Sequence, residues 1–138
     1  MGFKTLTPSV VTPITPASKD LVCTAFQVPR TMTASTLVDM LPADASIISI
    51  VREKGTASDA GTSATVTITV SNNGGTVSSA ADDVKTNGAT TGFVQMTNLP
   101  NTDPLPLNGD ISITAVYAET GTPSTTGGPW NYIVTYVR

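Results

Sequence analysis

The stretch Ala64-Thr65-Val66-Thr67-Ile68-Thr69-Val70 alternates an apolar residue with a threonine at every step. Successive side chains of a strand point to opposite faces, so Val66, Ile68 and Val70 share one face and Thr65, Thr67 and Thr69 the other. The same alternation returns in Asp110-Ile111-Ser112-Ile113-Thr114-Ala115-Val116-Tyr117 and in Asn131-Tyr132-Ile133-Val134-Thr135-Tyr136-Val137. Each pattern offers one face to a core and leaves the other to meet water or another protein without charge. An antiparallel all-β protein follows. None of these strands gathers a cluster of reactive side chains.

At 138 residues the chain is one domain, long enough to bury a core without disulfides or metal. Serine and threonine make up about a quarter of it, while charged residues are 12%, near half the usual share. Threonine is stiff at χ1 and suits a pleated surface. With so little charge, much of the outer surface is expected to be neutral and hydroxyl-bearing, as suits a protein packed against neighbours. The net charge is −3, and the seven cations Lys4, Lys19, Arg30, Arg52, Lys54, Lys85 and Arg138 are scattered. Binding a nucleic-acid backbone needs clustered cations, so no nucleic-acid partner is expected. No run approaches the ~20 apolar residues that span a bilayer, and Met1 to Pro8 lacks the apolar run of a signal peptide. No membrane partner is expected, and synthesis belongs in a host cytoplasm.

Residues 1–20 are set apart by Pro8, Pro13 and Pro16 among threonine, serine and valine. Proline removes donors and fixes φ, so this segment is expected to be an extended arm rather than a central strand or helix. Leu6, Val10, Val11 and Ile14 give it an aliphatic character that favours a strap over a neighbouring subunit. Residues 21–138 are expected to form the β-sandwich. Strands are expected over Leu21 to Val28, within Met32 to Met40, and from Ser46 to Glu53. In the last of these, Ile47, Ile48, Ile50 and Val51 point to a strand buried on both sides. Leu41 to Ala45 is expected to turn, and Lys54 to Ser63 to form a polar loop. Asn72-Asn73-Gly74-Gly75 is a strong turn signal. Ser78 to Lys85 is expected to form one helical turn capped by Ser78 or Ser79. A short strand at Gly92 to Thr97, a proline-rich loop from Asn98 to Leu107, an Asn108-Gly109 turn and a Gly/Thr/Ser/Pro loop from Ala118 to Pro129 complete the order. About seven to eight strands result, the pattern of an antiparallel β-sandwich of jelly-roll type. The last strand, running to Arg138, is expected to be paired inside a sheet.

The chain has no histidine, which excludes a Ser-His-Asp triad, a Cys-His pair and imidazole metal ligands. Glu53 and Glu119 are the two glutamates, and Asp82-Asp83, being adjacent, do not point at one centre. No catalytic residue, cofactor or metal site is therefore expected. Asp59, Asp82, Asp83, Asp103 and Asp110 match no calcium-binding loop and are expected to cap turns. Cys23, the one cysteine, excludes an internal disulfide and is expected to be a buried small hydrophobe. Trp130, with Tyr132 and Tyr117, offers a sugar-stacking platform as an alternative reading; packing in the core is the favoured one.

Four segments taken in order carry a resemblance: Leu41-Pro42-Ala43 before the isoleucine strand, Gly61 to Ile68, Ser79-Ala80-Ala81-Asp82-Asp83-Val84, and the closing pair Ile111 to Ala115 and Ile133 to Val137 around a Gly/Thr loop. Together, residues 41–138 resemble small β-sandwich proteins of tailed-bacteriophage virions that decorate or cement the head. The arm lies outside the shared pattern. The resemblance implies a non-enzymatic virion protein on the capsid surface, a homotrimer that contacts the major capsid protein and braces neighbouring capsomers. A carbohydrate-binding or adhesin module, or a phage tail or head-fibre component, is the alternative expectation.

Overall fold

The computed structural model describes residues 20–73, 75–96 and 110–138. The expectations for Met1 to Lys19, including Leu6, Val10, Val11 and Ile14, fall outside the described residues. So do those for Thr97, for Asn98 to Leu107 and for Asn108-Gly109. Asp20 belongs to the sandwich rather than to the arm: its N–H donates to the Arg138 carbonyl at 3.0 Å, and the Arg138 N–H donates back at 3.2 Å.

The described residues form eight strands: β1 Leu21–Val28, β2 Thr36–Leu41, β3 Ser46–Arg52, β4 Ser63–Asn72, β5 Gly75–Asp83, β6 Gly92–Phe93, β7 Ile111–Thr120 and β8 Trp130–Val137. They form two four-stranded antiparallel sheets, β1-β8-β3-β6 and β2-β7-β4-β5. The hydrogen-bonded pairs β4·β5, β3·β6, β2·β7 and β1·β8 are nested. They are the pairs of one long hairpin bent at Asn72–Gly75. Rolling that hairpin adds β3·β8 and β4·β7 and closes the two sheets into a jelly roll. The bend itself follows from the sequence: Asn73, between the paired Asn72 and Gly75, adopts φ 49, a left-handed conformation that Asn tolerates.

The alternation read from the sequence is what the strands bury. In β4, Ala64, Val66, Ile68 and Val70 are each fully buried, and in β7 the inward set is Ile111, Ile113, Ala115 and Tyr117. From the opposite sheet, β8 sends in Trp130, Tyr132, Val134 and Tyr136, joined by Phe26 and Val28 of β1 and Ile47 and Ile50 of β3. Phe26 stacks on Tyr132 at 5.3 Å and Tyr117 on Trp130 at 5.4 Å between ring centroids. Burying apolar surface at roughly 25 cal/mol per Å² is what holds the two layers together.

Four sequence expectations are corrected. Ser78 to Asp83 is not a helical turn but part of β5, paired residue by residue with β4 from Ser78↔Val70 to Asp83↔Thr65. Strand β3 is not buried on both sides. The register skips Ile48 between Ile47↔Tyr136 and Ser49↔Thr135, a bulge that turns Ile48 outward and keeps both Ile47 and Ile50 inward. Leu41 ends β2 and is buried, rather than opening a turn. The short strand β6 has two residues, so Val94 to Met96 continue beyond it, with Val94 N–H donating to the Ile50 carbonyl at 2.9 Å.

Candidate interaction surfaces

The outward-facing residues of β1-β8-β3-β6 form a face free of charge within its strands. Paired residues lie on one side of an antiparallel sheet. The register therefore lines up Ala25, Ile133, Val51 and Phe93 as one apolar row across all four strands. A second row holds Cys23, Thr135 and Ser49, and a third Leu21, Val137 and Ser46. Arg52 is the sole charged residue in these four strands and points inward, 3% exposed. Phe93 at 68%, Leu21 at 66% and Ile48 at 45% are large hydrophobic side chains left open on this side. An open groove lined by Ile48, Ser49, Ile50, Phe93, Val94, Gln95 and Met96 runs along its β3–β6 margin.

The face of β2-β7-β4-β5 has a different chemistry. Thr114, Thr69 and Ser79 form one row, Val116, Thr67 and Ala81 the next, and Ala118, Thr65 and Asp83 the third. Hydroxyls pair along it, Thr69 with Ser79 at 2.9 Å and Ser63 with Thr120 at 2.7 Å. Leu37 and Met40 stand exposed at its β2 edge. Asp83 is the one charged side chain its strands present outward, at the end of β5. One sheet thus carries an apolar row flanked by hydroxyls and the Gln27–Asn131 amides, and the other is richer in hydroxyls, with Val116, Ala81 and Ala118 among them.

Polar side chains turned inward tie the two sheets together at both margins. Arg52 of β3 forms an ion pair with Asp82 of β5, both nearly fully buried. The Tyr132 hydroxyl donates to the other Asp82 oxygen at 2.8 Å, and Arg52 Nε donates to the Thr90 carbonyl at 3.1 Å. Burial, with the Asp82 carboxylate beside it, pushes the Tyr132 phenol well above its usual range. At the opposite margin the Thr24 hydroxyl of β1 donates to Asp39 of β2. Inward charge at the sides of a sandwich also discourages further strands from adding there.

One end of the sandwich is fastened by hydrogen bonds among loops. Asp59 accepts from the Thr125 N–H and hydroxyl at 2.8 and 2.7 Å and from the Thr126 N–H at 2.8 Å. These bonds, the Thr125 hydroxyl first, lower its carboxyl from 3.8 to about 2. Glu119 accepts from the Ser124 hydroxyl and from the Tyr117 hydroxyl at 2.6 Å, and both hold its carboxyl below the ordinary value. Asp83 accepts from the Thr86 and Lys85 N–H groups, and the Thr86 bond leads in lowering it. Asp59 and Asp83 are turn caps; Asp82 is a buried counter-ion. Among the described residues no group of three or more His, Cys, Asp or Glu is placed to hold a metal ion.

The sugar platform is not at the surface. Trp130 and Tyr132 are fully buried and Tyr117 is 2% exposed, so no sugar ring reaches any of them. The Trp130 ring lies under a tight seat: a Cβ at Gly88 would stand 2.2 Å from the Val84 carbonyl oxygen and 2.8 Å from Trp130 Nε1. Cys23 is exposed rather than buried, because it shares the outward side of β1 with Leu21 and Ala25; its Sγ is 3.5 Å from the Thr135 hydroxyl. Sequence reasoning missed the Ala25-Ile133-Val51-Phe93 row. Its members are far apart in the chain, and only the register of three strand pairs unites them. No protein family, curated protein or solved structure matches this chain.

Proposed function

We propose that this chain is a non-enzymatic structural protein of a tailed-bacteriophage virion, a decoration or cement protein on the capsid surface. The observation that carries the proposal is the pair of nearly uncharged outer sheet faces, one crossed by an apolar row and one rich in hydroxyls, on a jelly roll clasped at both margins. Such faces associate without bringing charges out of water, and rigid strands present them with little ordering cost. Many modest contacts repeated over a symmetric shell then add up through multivalency. In this reading three copies assemble around a symmetry axis and bridge neighbouring capsomers of the major capsid protein, with residues 1–19 reaching an adjacent subunit. The resemblance of residues 41–138 to phage head proteins supports the same assignment.

High-resolution imaging of native virions of the phage that encodes the chain tests it. The expected result is density for an eight-stranded sandwich on the outside of the head. Density in the tail alone, or a virion that lacks the protein, overturns the proposal.

A further inference from the structure

We propose that the apolar outer face of the β1-β8-β3-β6 sheet is the seat for residues 5–18 of a second copy of this chain. The inference rests on the assembly reading in that assembly supplies the neighbour, and it names the surface the arm would occupy.

Complementary chemistry is the first argument. The face has no outward charge within its strands, and its apolar row runs across all four of them. Residues 5–18, Thr5-Leu6-Thr7-Pro8-Ser9-Val10-Val11-Thr12-Pro13-Ile14-Thr15-Pro16-Ala17-Ser18, contain no charged residue either. Covering one with the other desolvates no ion. Leu6, Val10, Val11 and Ile14 supply the apolar side chains, and the hydroxyls of the segment meet the Cys23, Thr135 and Ser49 row.

Placement is the second argument. The segment joins the fold at Asp20, paired with Arg138 at the end of β1, on the margin of this same sheet. Fourteen residues in extended polyproline-like form reach about 43 Å. Four strands measure roughly 14 Å across, so length is sufficient to cross the whole face.

The choice of a second copy over the chain's own face comes from the direction of exit. Asp20, paired with Arg138, extends the β1 ladder by one residue on the side away from the apolar row at Ala25. Returning would need a tight reversal, yet residues 3–19 contain no glycine, asparagine or aspartate. Three prolines bias the residues before them to extended conformations. The same prolines remove donors from a regular ladder. Contact is therefore through side chains on the face, not through strand addition at the β1 edge.

Cys23 is the probe, being the one cysteine of the chain and standing exposed on this face. Its rate of reaction with a maleimide is compared in the full chain and in a chain lacking residues 1–18, with mass followed by light scattering. The expected result is labelling at least ten-fold slower in the full-length oligomer. The protection should vanish on truncation and on dilution to monomer. Equal rates overturn the inference. Protection that persists in a monomer assigns the face to the chain's own arm, and protection that persists in a truncated oligomer assigns it to face-on-face packing; either also overturns it. Should the truncated chain fail to fold, the full chain carrying Val11→Asp and Ile14→Asp serves instead, with the near-ultraviolet dichroism of Trp130 reporting the fold. Equal labelling rates in a protein that still occupies shells defeat this inference alone. An exchanged arm in a protein absent from virions defeats the virion assignment alone.

Discussion

Asp82 is the acceptor for two buried donors, the Arg52 guanidinium and the Tyr132 hydroxyl, which reach it from the opposite sheet. Replacing Asp82 with alanine leaves a guanidinium without a counter-charge and a phenol without an acceptor. The expected loss is about 3–5 kcal/mol in urea unfolding, and the double variant Arg52→Met, Asp82→Leu should recover more than half of it. A loss below ~1 kcal/mol for Asp82→Ala would show that the pair is solvated. Asp59 makes a prediction of a different kind. Its folded carboxyl lies near 2 against an ordinary 3.8, so its stabilisation is present above the unfolded value and disappears as pH falls through the folded one. The stability gap between the wild type and Asp59→Asn should therefore be constant down to about pH 4 and close by about pH 2. A gap that stays constant to pH 2 would mean the three hydrogen bonds from Thr125 and Thr126 are not formed in solution.

Among the elements, β3 shows how a bulge redistributes residues that look alike. Ile47, Ile48 and Ile50 read as one apolar run, yet only Ile48 is displaced outward. Ile50→Ala should cost about 2–5 kcal/mol, whereas Ile48→Ser should stay within ~0.5 kcal/mol. Denaturant melts of the two variants check this, and equal losses would place Ile48 in the core. Strands β4, β7 and β8 were legible because apolar or aromatic residues recur at every second position, with hydroxyls or amides at several of the positions between them. Strand β5 was not, because its inward residues at Ser78, Ala80 and Asp82 carry no hydrophobic period, and the Ser-Ser-Ala-Ala-Asp-Asp run imitates a capped helical turn. Asp82 owes its inward position to Arg52, thirty positions away in the chain, a pairing that no local window contains. Cys23 was misplaced for a similar reason: Leu21 and Val22 on either side of the strand axis give no hint of which face is inside. The β-sandwich of jelly-roll type followed from the number and spacing of strands and turn signals, whereas the nested pairing about the Asn72–Gly75 bend required the register. The apolar row from Ala25 to Phe93 required the register.

On the scale of the whole molecule, nested pairing converts one alternating hairpin into two layers with separate outer chemistries. Burial consumes most of the large side chains of both sheets, leaving Leu21, Leu37, Met40, Ile48 and Phe93 exposed. What remains outside includes an apolar row across one sheet and rows richer in hydroxyls on the other, with the polar clasps turned inward at the margins. If these faces hold the protein in the proposed virion assembly, a charge placed at the middle of each should abolish that assembly while sparing the fold. Ile133 and Thr67 are suited to this, since each lies on a central strand and faces outward. Occupancy of purified phage heads by the double variant Ile133→Lys, Thr67→Lys, measured beside the wild type, is the most direct test. The account predicts an unchanged thermal unfolding midpoint within a few degrees and at least a ten-fold loss of occupancy. A folded double variant that occupies heads as fully as the wild type would contradict it.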